Sequence, residues 1–174
     1  MRANLIVAGR TGPNHLVRFG ETGAPLDERG RADVSALAEQ SGPVSCGPVI
    51  CGPERAARET ASLLSLTVLV DARLASLDVG AWTGLLPEQV SGTEMGAWFG
   101  DPSARPHGGE SIVAFVGRIK EVGRIKEVGR IKEWASPAPS LTLVVAGPVA
   151  QALLCRDAAS FFDVAVVPGR GYQL

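Results

Sequence analysis

Two apolar runs of strand length each break off at a glycine: Leu5-Ile6-Val7-Ala8-Gly9 early in the chain and Leu141-Thr142-Leu143-Val144-Val145-Ala146-Gly147 late in it. Continuous apolar strands belong in a parallel sheet covered on both faces, and the loops at their carboxyl ends are where such a sheet places ligand-binding groups. The first run delivers one fixed positive charge, Arg10, into such a loop, followed by Thr11 and Gly12.

Between these runs the chain alternates strand and helix signals. Residues 32–39 carry Val34, Leu37 and Ala38 on one helical face, with Asp27 placed to cap the first turn. Pro48 to Cys51 is a short apolar strand closed by Gly52-Pro53, and residues 54–64 are strong helix formers. Leu66 to Val70 reads as a third strand, Arg73 to Gly84 as an irregular segment with an embedded Trp82, and Glu110-Ser111 as the opening of a further helix. A helix follows the late run over Val149 to Arg156, and Phe162 to Val167 with Tyr172 to Leu174 is expected to complete the sheet as a strand pair turned at Pro168-Gly169-Arg170-Gly171. The expected architecture is a three-layer α/β/α sandwich whose sheet is mostly parallel with one antiparallel strand.

At 174 residues the chain suits one domain spanning 1–174, and 45% hydrophobic with 20% charged residues allow a sizeable core. A formal net charge of -1 gives no reason to expect a nucleic-acid or acidic-membrane partner. Cys46, Cys51 and Cys155 lack a metal-type spacing and read as buried thiols, so neither a metal nor a cofactor is expected. Met1 to Asn4 leads straight into a strand and no run approaches a membrane span, which gives the expectation of a soluble cytoplasmic protein.

One tract breaks the pattern. From Val116 the hexapeptide Val-Gly-Arg-Ile-Lys-Glu occurs three times in succession, ending at Glu133. Its apolar residues step by three, and at about 100° per residue each step falls roughly 60° short of a full turn, so the stripe winds around a helix. The tract reads as one copy plus a tandem duplication, natural or introduced, that extends a helix or loops out of it. A membrane- or partner-binding helix is disfavoured by the balance of Lys and Glu and by a glycine in every copy.

The order of these pieces resembles the histidine phosphatase superfamily, the phosphoglycerate mutase-like proteins. The residues that carry the resemblance are Ala24 to Arg31, Pro53 to Leu64, Leu77 to Gly84, Asp101-Pro102 before Pro106 to Ser111, and the end of the chain. The resemblance implies a histidine after the first strand that attacks a phosphoryl group, two arginines that cancel its charge, a glutamate that protonates the leaving oxygen, and a second histidine after the late strand. Such a reaction needs an unprotonated nucleophile, fixed positive charge and an acid.

Arg10 matches the first arginine. Thr11 stands at the histidine position, Ala56 at the second arginine with Arg55 and Arg58 beside it, Ser76 at the acid, and Val145 or Ala146 at the second histidine. The expectation is therefore a catalytically inactive member that binds a small ligand, an anion among the candidates, or a protein partner. The cleft is expected to be bordered by Arg10, Thr11, Asn14, Arg55, Ala56, Ser76 and Gly147. The alternative is an active phosphohydrolase, or another enzyme, using a non-standard site in the same cleft with His15, Thr11, Ser76 or Cys51. His15 and His107 are read first as exposed loop residues, Asp78 and Trp82 as braces of the loop over the cleft, and Arg10 equally as a ligand group or a structural one.

Overall fold

The computed structural model describes residues 2–13, 16–41, 49–65, 67–127 and 140–174. A five-stranded sheet runs in the order β3-β2-β4-β1-β5, with β1 Arg2–Val7, β2 Val49–Cys51, β3 Val68–Val70, β4 Ser140–Val145 and β5 Gly171–Gln173. Pairs β1–β4, β4–β2 and β2–β3 are parallel, and β5 runs antiparallel to β1.

Side chains alternate between the two faces of the central strands and build two cores. Ile6, Ala8, Val49, Cys51 and Val144 face α1 (Glu28–Ser41) and α2 (Arg55–Leu64). Leu5, Val7, Ile50, Leu143 and Val145 face α4 (Ile112–Glu127) and α5 (Gly147–Leu154). The third helix, α3 (Gly92–Gly100), contributes Trp98 to this second core. Three layers result, as the sequence indicates. The chain moves outward from β1 to β2 to β3 with its helices on one face and returns to β4 through α4 on the other, as uniform right-handed crossovers require.

Local chemistry explains where the helices begin. Asp27 Oδ1 accepts from the Gly30 amide at 2.6 Å and caps α1. Ser111 Oγ accepts from the Ala114 amide at the start of α4, and Ser91 Oγ does the same for Glu94 in α3. In α2 the small residues Ala56, Ala57, Thr60 and Ala61 lie on the buried face, which lets the helix sit close to the sheet.

The expected strand over Phe162 to Val167 does not form. Asp157 and Ser160 exchange hydrogen bonds that cap a 3-10 helix over Ala158–Asp163, which places Phe161 against Phe115 and leaves β5 to pair with β1 instead. Cys46, and the part of the hexapeptide tract over residues 128–133, lie outside the described residues.

The first copy of the hexapeptide is part of α4. Ile112, Phe115, Val116, Ile119 and Val122 are all buried, and at about 100° per residue they span roughly 120° of the helix, the width of one core-facing stripe. Ile119 is fully buried, whereas Val113 on the opposite side is exposed. Ile119→Ala should therefore cost about 2–5 kcal/mol of stability, and Val113→Ala about 0.5 kcal/mol or less, in urea denaturation of the two variants; equal losses would contradict this orientation of α4.

Candidate functional site

The parallel register brings three strand ends together. Val7 lies beside Val145, and Cys51 beside Val144. The ladder continues one residue beyond the strands, through Ala8 N–H to Val145 O and Gly52 N–H to Val144 O. After β1 and β2 the chain turns to α1 and α2 on one face, and after β4 it turns to α5 on the other. The ends diverge into a crevice of the kind where open α/β sheets bind ligands.

Arg10 leaves β1 on one side of this crevice. Gly9 N–H donates to Thr60 Oγ1 of α2 at 2.9 Å, and a Cβ on Gly9 would come within 2.9 Å of Leu26, so the chain exits through a fitted slot. Arg10 Nε pairs with Asp27 Oδ2 at 2.7 Å. Among the described residues no partner engages its two Nη atoms. The hydrogen bond from Arg10, joined by the one from Gly30 N–H, holds the Asp27 carboxyl below the ordinary carboxylate range. One carboxylate thus caps α1 and orients Arg10.

Beside it, Glu59 of α2 accepts from Leu26 N–H at 3.0 Å, Arg55 Nε at 2.8 Å and Arg31 Nη2 at 3.1 Å. The Leu26 amide first, then Arg55, keeps the Glu59 carboxyl below its usual range. The side chain of Arg58, one turn along from Arg55, has no hydrogen-bond or ion-pair partner among the described residues.

A cavity of about 590 Å³ opens between the start of α2 and the segment 75–83, lined by Glu54, Arg55, Arg58, Ser76, Asp78 and Thr83 among others. Glu54 is only 6% exposed, and its Oε1 accepts from Ser76 N–H at 2.6 Å. The segment before Ser76 is pinned from behind by Arg118, from the first hexapeptide copy. That side chain donates to Arg73 O and Ala75 O and forms a two-pronged pair with Glu110 at 3.0 and 2.9 Å.

Of the residues expected at the cleft, Arg55 and Ser76 share this cavity. Arg10 and Thr11 leave the adjacent strand end, and Gly147 opens α5 across the crevice. Asn14 and His15 lie outside the described residues. Ala56 departs from the expected border of the cleft: it is buried on the core face of α2 and does not line this cavity. Val145, at the second-histidine position, is buried in the sheet. Cys51 is buried in the α1–α2 core and does not line the cavity either. Glu54 went unnoticed in the sequence because residues 54–64 register there only as helix formers. Its partner is 22 positions away.

His107 is another correction. It is 2% exposed, not a surface loop residue, and packs edge-on against Trp82 and Trp98 at ring distances of 5.0 and 6.0 Å. Phe19 packs tilted against Trp82 and edge-on to Trp98, and the two tryptophans meet edge-on, so Trp82 ties the 78–84 loop to α3. The ring accepts from Gly109 N–H through Nδ1. Among the described residues no group of three or more His, Cys, Asp or Glu side chains is placed to hold a metal ion, and no helix is long and apolar enough to cross a membrane.

Residues 5–156 match the model of the histidine phosphatase superfamily (branch 1). A glucosyl-3-phosphoglycerate phosphatase of Mycobacterium tuberculosis is 34% identical over 131 residues, which cover 69% of this chain and 59% of that protein. The solved mycobacterial glucosyl-3-phosphoglycerate phosphatase complexed with VO3 superposes with a TM-score of 0.79 at 29% identity, over 99% of this chain and 91% of that one. The alpha-ribazole phosphatase of Shigella flexneri superposes with a TM-score of 0.81 at 25% identity, over 99% and 89% of the two chains.

These relatives overturn the expectation of an inactive protein. Proteins similar to this chain over most of its length are named as phosphatases, which points to phosphohydrolase chemistry. The expectation of inactivity rests on the residues at four positions, whereas Glu54, which it does not include, brings a carboxyl to the backbone of Ser76 from another element.

Burial, with a smaller opposing contribution from Asp78 and an aiding one from Arg105, pushes the His107 ring below its ordinary value of 6.5. The unfolded chain then holds this proton more tightly than the folded one, so the contribution of His107 to stability is complete above pH 6.5 and declines as the pH drops below it, through the lowered folded value. Urea midpoints measured from pH 7.5 to 5 should fall less steeply for His107→Asn than for the natural chain; superimposable slopes would refute this.

Proposed function

Because the chain belongs to the histidine phosphatase superfamily (branch 1), we propose that it is a phosphomonoesterase of small phosphorylated molecules, working as one domain across 1–174. The observation that carries this reading is the match to relatives named as phosphatases over most of the chain. This chain spans 59% of the length of the mycobacterial relative, and glucosyl-3-phosphoglycerate is accordingly one substrate to test and not an assignment.

Thr11, Ala56, Ser76 and Val145 stand at the positions where the resemblance puts nucleophile, clamp, acid and second histidine. We infer that the reaction in this member passes directly to water instead of through a phosphohistidine. The ester P–O bond breaks, a water oxygen bonds to phosphorus, and the products are an alcohol and inorganic phosphate. Phosphoryl transfer asks the protein mainly for positioning and for charge cancellation around a dispersed negative charge. Arg10, held by Asp27 through Nε with its Nη atoms unengaged, supplies a fixed guanidinium at the end of β1. Arg58 supplies a second, unpartnered one at the cavity wall. A phosphate-like anion is the ligand class such a pair recognises.

The natural chain should release inorganic phosphate from small phosphomonoesters with sustained turnover, and vanadate should inhibit it. Arg10→Ala should lower kcat/KM by about 10²–10³-fold, the size of losing one donor to the transition state. Phosphate release no faster than in the absence of protein would end this reading.

A further inference from the structure

Among the described residues, four buried side-chain atoms have no hydrogen-bond partner: Glu54 Oε2, Trp98 Nε1, His107 Nε2 and Thr142 Oγ1. Trp98 and His107 belong to the aromatic cluster behind the 78–84 loop, and Thr142 lies within the sheet. Glu54 alone of the four lines the cavity at the crevice.

Its setting is unlike that of an ordinary helix-start glutamate. Glu54 directly precedes α2, yet its side chain makes no capping bond to that helix. Arg55, the next residue, does not neutralise it but pairs with Glu59. One oxygen is fixed by Ser76 N–H, and the other rests against Gly52, where any Cβ would stand 2.5 Å from Oε2 and 3.1 Å from Leu74 O. A buried carboxyl with one oxygen left without a hydrogen-bond partner carries a desolvation cost that packing alone does not offset. The carboxyl also lies beside the backbone of Ser76, the position to which the resemblance assigns an acid that this chain lacks there.

We propose that Glu54 is the proton-transfer residue of this phosphohydrolase, in place of a carboxylic acid at position 76; the assignment rests on the phosphomonoesterase reading above. The Glu54 carboxyl gives its proton to the ester oxygen as the P–O bond breaks, which releases a neutral alcohol. The attacking water loses a proton as its oxygen bonds to phosphorus, and that proton restores the carboxyl. The Ser76 amide holds the carboxyl in place throughout, and Gly52 leaves the room Oε2 needs.

The test compares an aryl and an alkyl substrate, because 4-nitrophenolate leaves without a proton whereas an alkoxide does not. Glu54→Gln keeps an oxygen to accept from Ser76 N–H and removes only the proton transfer. On glycerol 3-phosphate its kcat/KM should fall by about 10²–10⁴-fold, and on 4-nitrophenyl phosphate by less than ~10-fold. Equal losses on the two substrates, or no loss on either, overturn the assignment while leaving the phosphatase reading intact. Absence of turnover by the natural chain on both esters overturns the reading and the assignment together. Should Glu54→Gln fail to fold, Glu54→Asp with the same substrate pair carries the test: a loss larger on the alkyl ester supports the role of Glu54, and an equal one refutes it.

Discussion

The parallel pairing of β1 with β4 is the contact on which the other arrangements depend. It joins Arg2–Val7 to Ser140–Val145 across nearly the whole chain, and its register sets Val7 against Val145. Both strands are apolar on both faces, so each must be covered twice, and this forces α1 and α2 to one side and α4 and α5 to the other. The divergence of the chain after Ala8, Gly52 and Ala146 follows from that division. The crevice is thus a consequence of how the sheet is covered, before any side chain in it is considered.

Charge pairs then fasten the loops around the crevice. Asp27 serves Arg10 and the first turn of α1 together, and Glu59 serves Leu26, Arg31 and Arg55 together. Carboxylates that accept several hydrogen bonds remain ionised and give their arginines a fixed geometry. The same pairing lowers the net positive potential that Arg10 and Arg55 offer to a ligand. The Arg58 side chain, which has no such partner among the described residues, adds an unpaired positive charge to a cavity wall that also carries Glu54 and Asp78.

The fold was legible in the sequence where periodicity and turn chemistry agree. The two glycine-ended strands, the helix capped by Asp27 and the helix opened by Ser111 all form as their residues indicate. It was not legible where local capping competes with strand propensity, as at Phe161 and Phe162, or where identical residues meet different surroundings. Arg118 and Arg124 occupy the same place in successive hexapeptides; Arg118 is locked to Glu110 and two carbonyls, whereas Arg124 is exposed. His107 in a Pro-Gly-rich turn resembles a surface residue until Trp82, 25 positions earlier, is seen to cover it.

The candidate site was harder to read, because a chemical role attaches to an atom in space and not to a position in the chain. Serine at 76 looks like the loss of an acid when each position is compared with its counterpart. The backbone of Ser76 nevertheless holds the carboxyl of Glu54 at 2.6 Å, so side-chain length and the path of the chain bring an acid to within a few ångströms of that backbone from another element. Phosphoryl transfer tolerates such exchanges better than most reactions do, since its transition state is stabilised by charge and placement more than by one irreplaceable covalent partner. The geometric demand falls on what fixes the carboxyl and what leaves it room: Ser76 N–H holds Oε1, and at Gly52 a Cβ would stand 2.5 Å from Oε2.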